Sequence, residues 1–364
     1  MDLDAIKGIL RTFAEVEARG VSPLYEHLAL QASADDDVAG LLTEARDGEV
    51  RGTLLMAVAH RLVQADPIHP LSRYYPSLGG FDGVDSETWP LFRSFLLERA
   101  AKARELISSR YTQTNEVRRA ALLYPGVARA AKEAGGKVSL LEVGCSAGLL
   151  LGLDRFGYRY QCDGGEQLTA GPAKSAVGLH CALDLAPGAV APKLPKKLAV
   201  LDRAGLDRAP VDLSDEDELA WLEACVWADQ PDRIRLLRTA AAEQARHRPT
   251  LIAGDGVDDL ASAAGTLDGP LVVLTSHVLA YFSPSRREEF VAALASLAES
   301  RPVWWVSEEF YGAGLELVLP GRADLAGSDG LATLGVVRWD SGKPEAHALA
   351  RTAPHGQRMT WLPL

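Results

Sequence analysis

Glu142-Val143-Gly144-Cys145-Ser146-Ala147-Gly148 places a carboxylate, a thiol, a hydroxyl and two glycines within a few residues, directly after the apolar run Val138 to Val143. Glycines at 144 and 148 let the chain turn tightly and bring bare backbone against a ligand. A dinucleotide site would need Gly-x-Gly-x-x-Gly with a pyrophosphate at the helix N-terminus, and here Cys145-Ser146 stand where the middle glycine belongs. Two chemistries remain. Acid-x-Gly-x-x-x-Gly, led by Glu142, suits a ligand that carries an amino-acid moiety and an adenosine. The same stretch satisfies Gly-x-Ser-x-Gly, the elbow that presents a nucleophilic serine, with Ser146 followed in order by Asp255 and His277.

The later strand ends favour the first chemistry, with S-adenosylmethionine as the ligand. Ribose hydroxyls want a carboxylate acceptor, and Asp207, after the second apolar run, is placed to supply it. Asp255 is expected near the adenine amino group, with Gly254 and Gly256 permitting close approach and Thr275 closing the fourth run nearby. Each acid taken singly also suits a helix N-cap. At the end of the fourth run, His277 is the candidate general base, and His60 and His355 are weaker ones.

These side chains need a sheet to carry them. Short apolar runs at 138–143, 198–201, 250–253, 271–275 and 303–306 alternate with helical stretches at 216–225, 232–246 and 285–300. The alternation predicts an α/β fold with a doubly wound parallel sheet and right-handed crossovers. A terminal antiparallel hairpin is expected from 333–339, a turn at Ser341-Gly342-Lys343-Pro344 and a second strand ending near Trp361. Upstream, apolar residues recur at helical spacing from Ile6 to about Ala134, as in Ile6, Ile9, Leu10 and Phe13. This predicts an all-helical domain over 1–136, followed by a cofactor domain over 137–364. A hydrolase elbow follows strands already laid down, whereas here only helix precedes Val138.

From Gly148 to Asp207 the chain is far longer than one crossover requires, which predicts an insertion over 152–197. Gly157 to Gly165 reads as a hairpin within it. Tyr158 and Tyr160 are candidates to line a sulfonium site, since an aromatic face stabilises a cation, with ordinary hairpin packing as the alternative.

Composition narrows the partners. The 364 residues are 47% hydrophobic and 24% charged, the balance of a globular chain. A formal charge of -11 argues against a nucleic-acid groove, so a small-molecule substrate is expected. Arg233, Arg235 and Arg238 suit the solvated face of a helix. No apolar run approaches the roughly 20 residues needed to cross a bilayer, and the first residues lack signal-peptide character. A cytoplasmic monomer or homodimer without membrane partners is the expectation. Four scattered cysteines imply neither disulfides nor a structural metal.

The chain resembles a family of bacterial methyltransferase-like proteins known only as a domain of unknown function. The resemblance spans nearly its whole length. It rests on Ser22-Pro23-Leu24-Tyr25, Ala59-His60-Arg61-Leu62, Thr112 to Arg119, Glu142 to Gly148, Asp154 to Tyr158, Gly205 to Asp212, Trp227-Ala228-Asp229-Gln230 and His355-Gly356. Leu150 departs from it, standing where Asn is expected. The resemblance implies a class I methyltransferase (Rossmann-like) fold that binds S-adenosylmethionine, and no established reaction. Within the polar cluster before the sheet, Gln113, Asn115 and Arg119 are candidates to close over the cofactor or bind substrate. Methyl transfer to a small molecule is the leading expectation. Intramolecular cyclisation to an azetidine amino acid with release of methylthioadenosine, a non-catalytic sensor, and a Ser146 hydrolase are the alternatives.

Overall fold

A computed structural model describes residues 1–327, 329–340 and 342–363. Their contacts divide the chain into two compact units, Met1–Thr114 with Leu213–Leu237, and Asn115–Asp212 with Arg238–Leu364. The sequence placed one break at 136. Instead, the division precedes Asn115, and a later segment returns to the first unit.

Among the described residues the first unit is helical. Ser22 caps the helix Pro23–Ala32 by accepting from Tyr25 N–H, and Pro23 occupies the first turn, where its missing N–H costs nothing. The helix Gly52–Ala65 is buried almost all round, through Leu54 to His60 and again at Leu62 and Val63, as expected of a helix at the centre of a bundle. Segment 213–237 joins this unit because its partners are here. His60 Nδ1 donates to Ala224 O at 3.1 Å, and Ser77 N–H donates to Ala228 O at 2.8 Å. Trp221 Nε1 reaches Tyr111 O at 2.8 Å, and Asp217 pairs with Arg61 at 2.6 Å and with Arg110. His60 is therefore a core residue whose burial lowers its pKa to about 4.

The second unit holds the sheet, with strands β1 (Lys137–Val143), β2 (Gly157–Cys162), β3 (Gln167–Ala170), β4 (Gly178–Leu185), β5 (Ala199–Asp207), β6 (Thr250–Ala253), β7 (Leu271–Ser276), β8 (Val303–Glu309), β9 (Ala332–Asp340), β10 (Lys343–Thr352) and β11 (Arg358–Trp361). Their order is β3-β2-β4-β11-β10-β9-β8-β7-β1-β5-β6. The five strands β6-β5-β1-β7-β8 are mutually parallel. From β1 the chain fills one side with β5 and β6, then the other with β7 and β8, so the winding reverses at β1 and opens a crevice at the carboxyl ends there.

Several elements differ from the sequence expectation. The second parallel strand runs to Asp207, because Gly205-Leu206 pairs with Glu142-Val143 rather than forming a loop. The last parallel strand extends through Glu308 and Glu309. β9 and β10 form the terminal hairpin, Pro344 already pairs with Trp339, and Trp361 ends a third strand rather than the second. Ser341, predicted in the turn, lies outside the described residues. The expected hairpin in the insertion is β2–β3, but the insertion adds β4 as well and joins the far side of the sheet through β11.

Only residues 144–156 link β1 to β2, yet seven strand steps of roughly 4.8 Å separate them along the sheet. The helix Ala120–Glu133 packs against both β8 and β2, which stand five places apart in the sheet order, so the sheet curls around it. Gly126 lies so close to β8 that a Cβ would sit 2.7 Å from Val306 Cγ1, while Tyr124 packs at a tilt against Tyr158 of β2 with ring centroids 4.4 Å apart. Pro125 interrupts this helix and removes the N–H that Ala121 O would accept. Tyr160 Oη donates to that carbonyl instead, at 2.8 Å. On the other face of β1, Leu141 and Val143 pack into a core with Leu260, Phe290 and Trp305.

Candidate functional site

At the end of β1 the chain enters left-handed backbone at Gly144 (φ 75°), Ser146 (φ 49°) and Gly148 (φ 69°). A Cβ on Gly144 would lie 2.4 Å from Val278 Cγ2, so both conformation and space require glycine there. Ser146 adopts the region without that freedom and is held by neighbours. Asp207 Oδ2 accepts its N–H at 2.7 Å, while Oδ1 accepts Ala209 N–H at 2.9 Å. Asn115 Nδ2 donates to Ser146 Oγ at 2.8 Å, and its Oδ1 accepts Ala147 N–H at 3.3 Å. Behind the turn, Gln244 Nε2 donates to Ala147 O at 2.6 Å. The loop is thus preorganised from three directions.

Strand alternation sends Glu142 to the face opposite Leu141 and Val143. It is 4% exposed, and its Oε2 has no hydrogen-bond partner among the described residues. Burial, reinforced by Asp207, pushes its carboxyl well above the usual range, and Arg119 opposes the shift. Arg119 is itself buried, its Nε donating to Pro354 O at 2.8 Å and its Nη1 reaching Ser276 O at 3.5 Å. A buried carboxylate oxygen left unpaired is costly, and calls for a reason.

The neighbouring strand ends converge on His277. Its φ of 55° is the second left-handed non-glycine position among the described residues, and such strain concentrates at functional sites. His277 N–H donates to Glu308 O at 3.0 Å, and Phe310 meets the ring edge-on with centroids 5.1 Å apart. His277 Nε2 lies 3.3 Å from Glu308 Oε2, within ion-pair reach but outside hydrogen-bond alignment. Glu308 is fixed by Ser276 Oγ at 2.8 Å and Thr352 Oγ1 at 2.9 Å. Glu309 Oε1 accepts N–H from Val278 at 3.0 Å and from Leu279 at 3.2 Å, clamping the turn that carries the imidazole. Burial raises the Glu309 pKa to about 7, with His277 nearby lowering it in part.

The structure therefore brings Glu142, Gly144, Ser146, Gly148, Asn115 and Asp207 together, with Arg119 beside Glu142 and His277 on the next strand end. Other candidates lie elsewhere. Thr275 points to the opposite face of β7, where its Oγ1 accepts from Trp305 Nε1 at 3.0 Å, because a strand side chain can serve only one face. Tyr158 and Tyr160 are buried against the 120–133 helix, with hydroxyls committed to Leu153 O and Ala121 O, so neither ring is available to a ligand. Asp255 caps its own turn through Val257 and Asp258 N–H and pairs with Arg286. Gly256 packs on β1, where a Cβ would lie 2.8 Å from Val143 Cγ1. Gln113 belongs to the helical unit, where it forms a backbone hydrogen bond with the Cys225 thiol. Glu308, Glu309, Ser276 and Gln244 were not singled out from sequence. The one available signal was a pair of acids ending the apolar run from Val303 to Val306.

No curated protein matches this chain. Among solved structures, the sugar N-methyltransferase KedS8 from Streptoalloteichus sp. ATCC 53650 is 15% identical over 64% of this chain and 71% of that one, at a TM-score of 0.25 that is too low to establish a shared arrangement. A family model matches residues 7–361, and the chain belongs to that family, described as an uncharacterized protein conserved in bacteria (DUF2332).

Proposed function

We propose that this chain is an S-adenosylmethionine-dependent enzyme of the class I methyltransferase type, acting on a small molecule. The observation that carries the reading is Glu142, a buried carboxylate with an unpaired oxygen beside a preorganised glycine turn where the strand order reverses. An ammonium group satisfies that oxygen, and the Arg119 N–H groups not used on Pro354 and Ser276 suit a carboxylate, so the two residues fit the two ends of an amino-acid moiety. Asp207 spends one lone pair of each oxygen on backbone and retains others for ribose hydroxyls. When bound, the cofactor supplies an electrophilic carbon on a sulfonium. The chain then has to hold a nucleophile in line, exclude water and take its proton. His277, its backbone N–H held by Glu308 O and its ring within ion-pair reach of the Glu308 carboxylate, is the candidate general base. The chain's charge of -11 favours a small acceptor over a nucleic acid.

Calorimetry with S-adenosylmethionine and its demethylated product tests the reading, and absence of binding to both would end it. Incubation with the cofactor alone separates the chemistries: methylthioadenosine points to cyclisation or lysis, while no turnover points to a transferase awaiting its acceptor. One observation favours a second reading, since left-handed Ser146 within Gly-x-Ser-x-Gly also fits a nucleophile elbow. Esterase activity abolished by Ser146→Ala would establish that reading instead.

A further inference from the structure

The insertion builds a second concave surface. A cavity of about 350 Å³ lies on the open face of β2–β3–β4, with Gly157 and Gly178 among its lining residues. These two glycines are register partners in adjacent strands, so the floor beside them is bare backbone. Two register positions along, on the same face, basic residues line up across the strands. Arg159 pairs with His180 on one side and with Thr169 on the other, and Lys196 Nζ donates to Thr169 O at 2.7 Å. Arg159, His180 and Thr169 all occupy the exposed positions of their strands.

Arg159 and Lys196 both approach Thr169, and like charges held close together are unfavourable unless something offsets them. No Asp or Glu lines the cavity, although the protein carries 49 acids against 38 Lys and Arg. Among the described residues neither Arg159 nor His180 makes an ion pair or side-chain hydrogen bond. A guanidinium and an ammonium converging on one space suit a multivalent oxyanion, through charge-assisted bonds that are stronger than neutral ones. The space also exceeds a bare ion and falls in the range of small-molecule sites.

We propose that the cavity on β2–β3–β4 is a binding site for a small phosphomonoester, whose phosphate is held by Arg159, Lys196 and His180 while its organic portion lies over Gly157 and Gly178. The site is separate from the proposed cofactor site and does not rest on it.

Titrating the full chain with ribose 5-phosphate, and separately with inorganic phosphate, tests this without any S-adenosylmethionine, so the result is independent of the cofactor reading. Both probes are expected to bind at millimolar or lower concentration, more weakly as salt rises. Tighter binding of ribose 5-phosphate assigns a role to the organic portion. Equal binding would overturn the placement of the organic portion over Gly157 and Gly178 and leave a site for free phosphate alone. Arg159→Gln and Lys196→Gln should each weaken binding by roughly tenfold, with Arg159→Lys intermediate because it keeps charge and loses the planar fork. These positions are at the surface, and an unchanged melting temperature checks that the variants fold. No binding of either probe, or equal affinity in wild type and both glutamine variants, overturns the proposal.

Discussion

Asn115 grips the β1 turn with both ends of its amide, donating to Ser146 Oγ at 2.8 Å and accepting Ala147 N–H at 3.3 Å. A hydroxyl or carboxylate at this position would not donate and accept in that geometry at once. Replacing it with Ala removes two hydrogen bonds and should cost about 1–2 kcal/mol of stability. Cofactor affinity should fall roughly tenfold, more than that modest unfolding explains. Calorimetry beside thermal melts checks both, and unchanged affinity would remove Asn115 from the site.

Glu142→Gln should separate stability from function. The glutamine keeps the shape and removes a carboxyl that burial disfavours in its charged form. Unfolding in urea at neutral pH is expected to show equal or greater stability. Binding of S-adenosylmethionine should drop by at least roughly tenfold if, as proposed, Glu142 meets its ammonium, because the amide carries no charge. A variant that binds as tightly as wild type contradicts the assignment of Glu142.

Glu309 predicts a pH dependence whose sign is fixed. Its pKa rises from 4.5 to about 7 on folding, so the folded state binds the proton more tightly. That contribution is fully present below 4.5 and is lost as pH rises through 7, about 3 kcal/mol in all. Other groups titrate in the same window, so the informative quantity is the difference between wild type and Glu309→Gln. Urea unfolding from pH 4.5 to 8 should show the wild type losing stability relative to the variant. Parallel curves would mean that Glu309 titrates normally.

Tyr160→Phe tests the helix inside the curled sheet. The lost hydroxyl leaves Ala121 O without the donor that replaces Pro125 N–H, at a cost of about 1–3 kcal/mol. Cofactor binding should be unaffected, because this hydroxyl lies on the 120–133 helix and not at the β1 turn. Pro125→Ala in the same background restores an N–H to the helix and should recover part of the loss, as read by denaturant midpoint.

Local signals made part of the fold legible. Glycines at 144 and 148 announce a turn because few other residues tolerate left-handed backbone, and the apolar runs at 138–143 and 271–275 announce buried parallel strands because both their faces are covered. Asp207 was recognised as a strand-end acid, but its bonds to Ser146 and Ala209 N–H depend on register with β1, which its own neighbours in sequence do not encode. Thr275 and Ser276 show the limit sharply: adjacent in sequence, they face opposite sides of the sheet, and only strand pairing decides which one meets Glu308.

By itself, then, the sequence determined the helical upstream region, the alternation of strand and helix after Val138, and the glycine turn that ends the first strand. These follow from short-range preferences of backbone and from burial periodicity. Tertiary structure alone decided that residues 213–237 return to the helical unit, that the insertion joins the far end of the sheet through β11, and that Glu142 is left with an unpaired oxygen while Tyr158 and Tyr160 are spent on packing. Each of these depends on contacts between residues far apart in the chain, where register and face, rather than residue type, choose the partner.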